Sequence, residues 1–568
     1  MSKKSNTFGA IKLAPIPGSS KLEAFASRII KKELDGRKII TFSVQVRMAA
    51  DEDMVHRILE DISMGRRGVL TVAELESVTG SKPEDIALVT AELQAAGLKV
   101  LPRTAGDISH GIIRVKGTYA AAARFLPGLK LSLNQDTAGK NFIARSGELL
   151  TKEGLPIDGV FGLDTRSVAH THYRIAPTAI EPHAGGLDHG TARDVARAQG
   201  IPVDTLKLAR FCSGYISLSG DNGAKMQAGL KISAQKSSVN AAKVKGLPIN
   251  GAKLDGDLED GGTIENRLDM ITHCLLNPDG WCIVATAPND DNSFGLSFET
   301  MNAFLGVQDG DEFFPFFGYS CSWGNAESLD TLQSLRRRAR AMLAARLRGL
   351  IVTSATGDDG SRDKTKAPTP DAPSDIPNGI GAAGLTLVFD PVTGKVTGQK
   401  VWNSMARGGG ATGGGVSAVF DVTTEEKSLG LPDAVFKSKA DGKLGHLSAT
   451  LSDDADPATA PTIFLDDGTP QKVGGTSLSA PFSCIKLCLI QASLIHKIPD
   501  MIGFIFAHAR EGIFEQVTEA GNNGDYTVQP TDLYALPTGF GVISWNLFLM
   551  VAKRVQDGGM SFFAGDVG

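Results

Sequence analysis

The 568 residues contain no stretch of the ~18 uninterrupted apolar residues needed to cross a bilayer; the longest contender, 482–495, is broken by Lys486. Met1-Ser2-Lys3-Lys4 is basic, but no apolar run follows before Ser19-Ser20, so no secretory leader and no membrane partner are expected. Cysteine is scarce. Cys212, Cys274, Cys282, Cys321, Cys484 and Cys488 stand in apolar contexts rather than paired loop positions, so buried thiols are expected. No His or Cys spacing near them supplies the closed ligand set of a zinc site. A strong charge bias is also missing, with a net charge of −5 and a pI of about 6.1. The one dense basic cluster, Arg336-Arg337-Arg338 with Arg340, Arg346 and Arg348, lies on a single helix pattern. It reads as a solvated helix face, and no nucleic-acid partner is expected. The run Gly408-Gly409-Gly410-Ala411-Thr412-Gly413-Gly414-Gly415 lacks a following Gly-Lys-Ser/Thr and so makes a poor phosphate loop.

At 42% hydrophobic and 21% charged residues, the chain is long enough for one large core and a second domain. Its first part alternates elements: a strand at 39–46, helices at 51–62 and 81–96, the latter stopped by Gly97, then strands at 98–101 and 111–115. That order suggests a split β-α-β arrangement. A Pro/Gly-rich stretch without periodicity, 175–186, reads as a linker. Beyond it strands and helices alternate: a strand at 316–320, a helix at 330–348 stopped by Gly349, and a strand at 350–355. This pattern argues a mostly parallel sheet with helices on both faces.

Three places carry chemistry. Gly474-Gly475-Thr476-Ser477-Leu478-Ser479-Ala480-Pro481 follows a strand-like run, 461–465, and opens an apolar helix. A serine there sits at the positive end of the helix dipole, beside backbone N–H groups that lack helical partners and can face an oxyanion. Pro481 is expected in the first turn, where its missing N–H costs little. An ordinary Ser/Thr cap is the plainer reading of Gly-Thr-Ser alone. Glu265 and Asp269 are four apart on a helix beginning near Gly261, so both carboxyls project from one face and can share a proton. Asp358 lies in Thr356-Gly357-Asp358-Asp359-Gly360, at the end of the 350–355 strand, and can donate a hydrogen bond only when protonated.

Taken in order, Glu265, Asp269, Asp358 and Ser477 in these local motifs resemble the sedolisins, the acid-acting serine-carboxyl peptidases. Gly-Thr-Ser-x-Ser-Ala-Pro is shared with subtilisins, and Asp188-His189-Gly190-Thr191 mimics a subtilisin histidine motif. No aspartate motif precedes it suitably, and His189 reads as a helix-entry residue. The resemblance implies Ser477 as nucleophile, Glu265 as general base and then acid, Asp269 as its support, and protonated Asp358 in the oxyanion hole. It implies an α/β, subtilisin-like catalytic domain at 187–568, preceded by an α+β ferredoxin-like prodomain at 1–174 that acts as intramolecular inhibitor and folding chaperone. A linker at 175–186 would hold the self-processing region, with the cut expected between about Thr171 and Gly186. Polypeptides are the implied substrates, the implied state is a monomer, and the family favours secretion or an acidic compartment. A tripeptidyl-peptidase and a catalytically silent binding or assembly relative are the alternative readings. The glycine run at 408–415 is expected to let substrate lie close to backbone. Many sedolisins carry Glu where Ser217 stands, and they usually close on a calcium site. Here Gln516 and Ala535 occupy the places of its two carboxylates, so no calcium, no other metal and no cofactor are expected.

Overall fold

Ile40, Phe42, Val44 and Val46 recur at every second residue of strand β1 (Ile39–Val46), so one face of that strand must be buried, and it lines an apolar core. The computed structural model describes residues 12–21, 28–31, 33–136, 139–176, 190–206, 210–220, 223–254 and 261–557. After β1 comes α1 (Glu52–Ser63), capped by Asp51, whose carboxylate accepts the Met54 N–H at 2.8 Å. Helix α2 (Pro83–Ala95) follows, and Gly97, at φ +83°, turns the chain out of it. Then come β2 (Lys99–Val100), β3 (Ile112–Thr118), α3 (Tyr119–Phe125) and β4 (Ile157–Phe161). The strands pair antiparallel in the order β2-β3-β1-β4, the ferredoxin-like order of a split β-α-β unit.

Two short strands, β5 (His170–Thr171) and β6 (Arg174–Ile175), then leave this unit and pair with the second one. The second unit is built on β7 (Cys212–Ser217), β8 (Lys243–Pro248), α4 (Gly261–Leu276), β9 (Trp281–Thr286), α5 (Asp291–Ala303), β10 (Glu312–Cys321) and β11 (Trp323–Ala326). It continues with α6 (Leu332–Leu347), β12 (Ile351–Ala355), β13 (Asp371–Ala372), β14 (Ile380–Phe389), β15 (Val396–Val401), β16 (Leu451–Asp454), β17 (Thr462–Phe464), β18 (Pro470–Gly474) and α7 (Thr476–Ala492). Its main sheet runs β8-β9-β7-β10-β12-β14-β15 and is parallel from β8 to β14. Strand β15 is antiparallel to β14, and β16 lies parallel to it. Cys282 and Val284 of β9 enter one core with α4 and α7, while Ile283 and Ala285 enter another with α5 and α6. Burial on both faces explains why these strands read as continuous apolar runs.

The six cysteines are buried and unpaired. The arginine helix α6 corrects the expectation of a solvated face. Arg337 pairs with Glu299 at 2.8 Å with both side chains 1% exposed, and Arg346 pairs with Asp500 at 2.7 Å. Arg340 donates to the carbonyls of Thr79, Val46 and Gly80 at 2.6, 2.7 and 2.6 Å. The helix lies between the sheet and the amino-terminal unit, and a planar five-donor group can be buried where carboxylates and backbone carbonyls satisfy it.

Candidate active site

Strand β18 ends at Gly474, and Gly475 turns the chain at φ +98°, a conformation open to glycine and strained for other residues. Helix α7 starts at Thr476, which puts Ser477 in its first turn, and the helix is buried along its whole length. Pro481 lies deeper in α7 than the sequence suggested, beyond the first turn. Lacking an N–H, it leaves the Ser477 carbonyl without its helical donor, and the Ser322 hydroxyl reaches that carbonyl at 3.4 Å. Helix α7 therefore begins with a loosened turn at Ser477.

The Ser477 hydroxyl donates to Glu265 Oε2 at 2.7 Å and lies 3.3 Å from the Ser322 carbonyl. Glu265 and Asp269 project together from α4, both fully buried. Asp269 Oδ1 accepts the Ser322 hydroxyl at 2.7 Å, while Glu265 Oε1 and Asp269 Oδ2 have no hydrogen-bond partner among the described residues. Burial and the Asp269 charge push the Glu265 carboxyl well above the usual range, and burial does the same to Asp269. Two buried carboxyls so placed are favoured with at least one proton between them.

Asp358 sits at the carboxyl end of β12, where ligand sites of parallel sheets gather. Its Oδ1 accepts the Thr476 N–H at 2.8 Å and the Thr476 hydroxyl at 2.9 Å. Its Oδ2 accepts no hydrogen bond from a described residue, although an Arg174 guanidinium nitrogen stands 3.5 Å away. Burial raises the Asp358 carboxyl to about 6, against the pull of Arg174 and His172. The glycine run, expected to let substrate lie close to backbone, packs against the back of this loop. Gly413 N–H donates to Gly357 O at 2.8 Å and Ala411 N–H to Asp358 O at 2.9 Å, and a Cβ on Gly413 would meet Thr356 O at 1.7 Å.

The chain itself occupies the cleft. Thr171 is paired with Trp323, and Arg174 with Gly474, so residues 170–175 cross the start of α7 between two edges of the second unit. The Ser477 N–H donates to the His172 carbonyl at 3.0 Å, and the His172 N–H to the Ser322 carbonyl at 3.3 Å. A Cβ on Gly475 would stand 2.1 Å from His172 O, 2.6 Å from Asp358 Oδ2 and 2.8 Å from the Tyr173 Cα. Only a glycine lets these three groups meet. The peptide bond between His172 and Tyr173 is thus held beside the serine, with its carbonyl oxygen on the serine's own N–H and near the free oxygen of Asp358.

The geometry brings Ser477, Glu265, Asp269 and Asp358 together. Asp188, His189 and the linker residues 177–186 lie outside the described residues. Ser322 and Thr476 were given no role by sequence reasoning, while the His172–Tyr173 bond falls within the stretch from about Thr171 to Gly186 where the cut was expected. The signal for Ser322 was its place just after a buried strand, at the carboxyl edge of the sheet. Ser217 is buried and donates to the Ser219 carbonyl at 2.5 Å. At the loop expected to lack calcium, the Gln516 amide takes polar partners: Nε2 donates to Gly539 O at 3.1 Å, and Oε1 accepts from Thr538 Oγ1 at 3.0 Å and from the Val517 N–H at 3.1 Å.

No protein-family model matches the chain. The chain is 27% identical over 439 residues to kumamolisin of Bacillus sp. (strain MN-32), covering 73% of this chain and 75% of that protein. Its fold is similar to that of Pseudomonas sedolisin, a serine-carboxyl proteinase solved with two molecules of pseudo-iodotyrostatin. That match has a TM-score of 0.52 and 18% identity, covering 65% of this chain and 99% of the other. The second likeness shows a sedolisin-like fold.

Proposed function

We propose that this chain, a serine-carboxyl peptidase of the sedolisin family, is an acid-acting endopeptidase made as a proenzyme that cuts itself between His172 and Tyr173. The observation that carries the reading is the His172 carbonyl on the Ser477 N–H at 3.0 Å while the Ser477 hydroxyl donates to Glu265 at 2.7 Å. Attack and base are thereby aligned on one peptide bond.

In this mechanism Ser477 Oγ bonds to the His172 carbonyl carbon as its proton passes to Glu265. The negative charge moves to the carbonyl oxygen, where the Ser477 N–H and a proton on Asp358 Oδ2 steady it. Collapse breaks the His172–Tyr173 bond, and Glu265 returns the proton to the departing Tyr173 amine. Water, with Glu265 again as base, then frees the His172 carboxyl. Asp269 supports Glu265 by sharing charge and proton with it, and Ser322 fixes its orientation.

Arg174 supports latency at neutral pH, because it stands 3.5 Å from an ionised Asp358 Oδ2 and favours the form that cannot donate. Acid protonates Asp358 and loosens that pairing. The chain continues through the cleft from Ala169 to Ile175, so residues lie on both sides of the bond, which supports endopeptidase over tripeptidyl-peptidase action. Residues up to His172 then serve as inhibitory prodomain, with the cut just ahead of the expected linker at 175–186. An intact set of four site residues argues against a silent relative. The hydrogen-bonded Gln516 amide supports a loop that needs no calcium.

Acidifying the purified full-length protein should release a fragment whose first residue is Tyr173, detected by gel and mass spectrometry. Ser477→Ala should stay intact under the same conditions. Equal processing of the pure Ala variant would overturn the assignment of Ser477.

A further inference from the structure

Beside the proposed cleavage bond, four side chains leave an unusual number of buried polar atoms without hydrogen bonds. They are His170 Nε2, both ring nitrogens of His172, and both carboxylate oxygens of Asp363 and of Asp371. His172 and Asp371 are fully buried, and Asp363 is 4% exposed. Leaving such groups bare is costly, more so when they are charged, so this concentration calls for a partner that meets several at once.

We propose that His170, His172 and Asp371, with Asp363 behind them, form a site for one divalent transition-metal ion of the zinc class, which ties the segment to be cleaved to the unit that cleaves it. This rests on reading 170–175 as the segment held in the cleft before processing. Residues two apart in extended chain project to the same side, which is how His170, on the short strand, and His172, just past its end, come to face one centre. Their rings are 4.9 Å apart. One donor atom from each of His170, His172 and Asp371 can be chosen so that all lie within 4.8 Å of one another. His172 Nε2 is 3.2 Å from Asp371 Oδ2. Ligand bonds of about 2.0–2.1 Å at a tetrahedral angle place neighbouring donors about 3.3 Å apart.

Two imidazoles with carboxylate oxygen suit zinc or cobalt rather than calcium or magnesium, which take oxygen sets. Asp359, which also lies near His170, is already engaged by Arg174 at 3.0 Å and Lys364 at 3.1 Å, leaving Asp371 and Asp363 as the acidic partners. The set escapes the cysteine spacings that argued against zinc in the sequence, because it joins residues 170–172 to 363–371 across the fold. Two ligands, His170 and His172, lie on the amino-terminal side of the scissile bond, and Asp371 lies on the catalytic unit. A bound ion therefore cross-links them, and it retains His172 after the bond is cut.

The test uses full-length Ser477→Ala, which keeps the segment in place, stripped of metal and titrated with Co2+ at neutral pH. The expected result is one cobalt per chain with the intense visible bands of a tetrahedral site, displaced by Zn2+. His170→Ala and Asp371→Asn in that background should each weaken binding by about tenfold or more, since even outer partners of metal ligands matter that much. Circular dichroism of the apo variants checks that they fold. If one does not, anomalous scattering at the zinc edge from crystals of soaked Ser477→Ala locates the ion directly. Absence of a one-to-one site, a site unmoved by both substitutions, or an ion located elsewhere overturns the proposal. Binding here by a protein that never cleaves at His172–Tyr173 in acid keeps the metal site and removes the peptidase reading. Cleavage without binding removes only the metal site.

Discussion

Asp358 uses one carboxylate oxygen to hold Thr476 and leaves the other beside the His172 carbonyl, and in the proposed mechanism its proton decides whether that carbonyl can be polarised. With the carboxyl raised to about 6, the donor form dominates in acid, and its population falls roughly tenfold per pH unit above that value. Processing should be fast below about pH 5 and fade towards neutrality, where Asp358→Asn should retain measurable cleavage because an amide donates at any pH. Rates of Tyr173 amino-terminus formation across pH 3–8 check this, and a wild-type maximum at pH 7–8 would sink the carboxylate mechanism. Stability follows the same sign. A buried carboxyl with a raised value favours the fold most below its unfolded value near ~4 and loses that contribution as pH rises through about 6. Full-length Ser477→Ala, which stays intact, should therefore melt at a lower temperature at pH 8 than at pH 5, a difference reduced when Asp358→Asn is added. Ser477, Glu265, Asp269 and Asp358 were legible in the sequence because each stands in its own short motif. Ser322 and His172 were not, because their roles exist only where separate strands meet.

Elements show the same division between local and distant causes. The strand at 39–46 and the helices around 52–63 and 332–347 could be read from periodicity and stop signals, since capping and alternation are local. The environment of the arginine helix could not. Which carboxylates and carbonyls surround Arg337, Arg340 and Arg346 depends on the amino-terminal unit packing over α6. The glycine run likewise pointed to close approach without saying to what, and its neighbour is the loop of Asp358. The loop around Gln516 bears on metal dependence, for its amide holds Gly539 and Thr538 where relatives are expected to place a cation. Chelator should leave the melting temperature of the mature form unchanged. Gln516→Ala should lower stability by about 1–3 kcal/mol through the unpaired groups it leaves. A drop of several degrees on adding EDTA, reversed by calcium, would overturn the proposal of a calcium-free loop.

At the scale of the whole molecule the two units share more than a connecting segment. Val55, Ile58, Ile62, Leu75 and Val78 pack in one core with Ala344 and Leu347 of α6, and Arg340 reaches across to carbonyls of the amino-terminal unit. Truncating a guanidinium so enclosed removes a charged donor from each of three carbonyls, so Arg340→Ala should destabilise the joined protein and make the cut amino-terminal unit dissociate sooner on gel filtration. Co-elution as persistent as in the wild type would show that the apolar core alone holds the units together. The threading of residues 170–175 through the cleft also has a kinetic meaning. A bond already seated on the serine of its own chain meets that serine at a local concentration set by the fold and not by the solution. The first cut should thus follow first-order kinetics with a half-time that does not change on hundredfold dilution, and a trace of mature enzyme should not accelerate it.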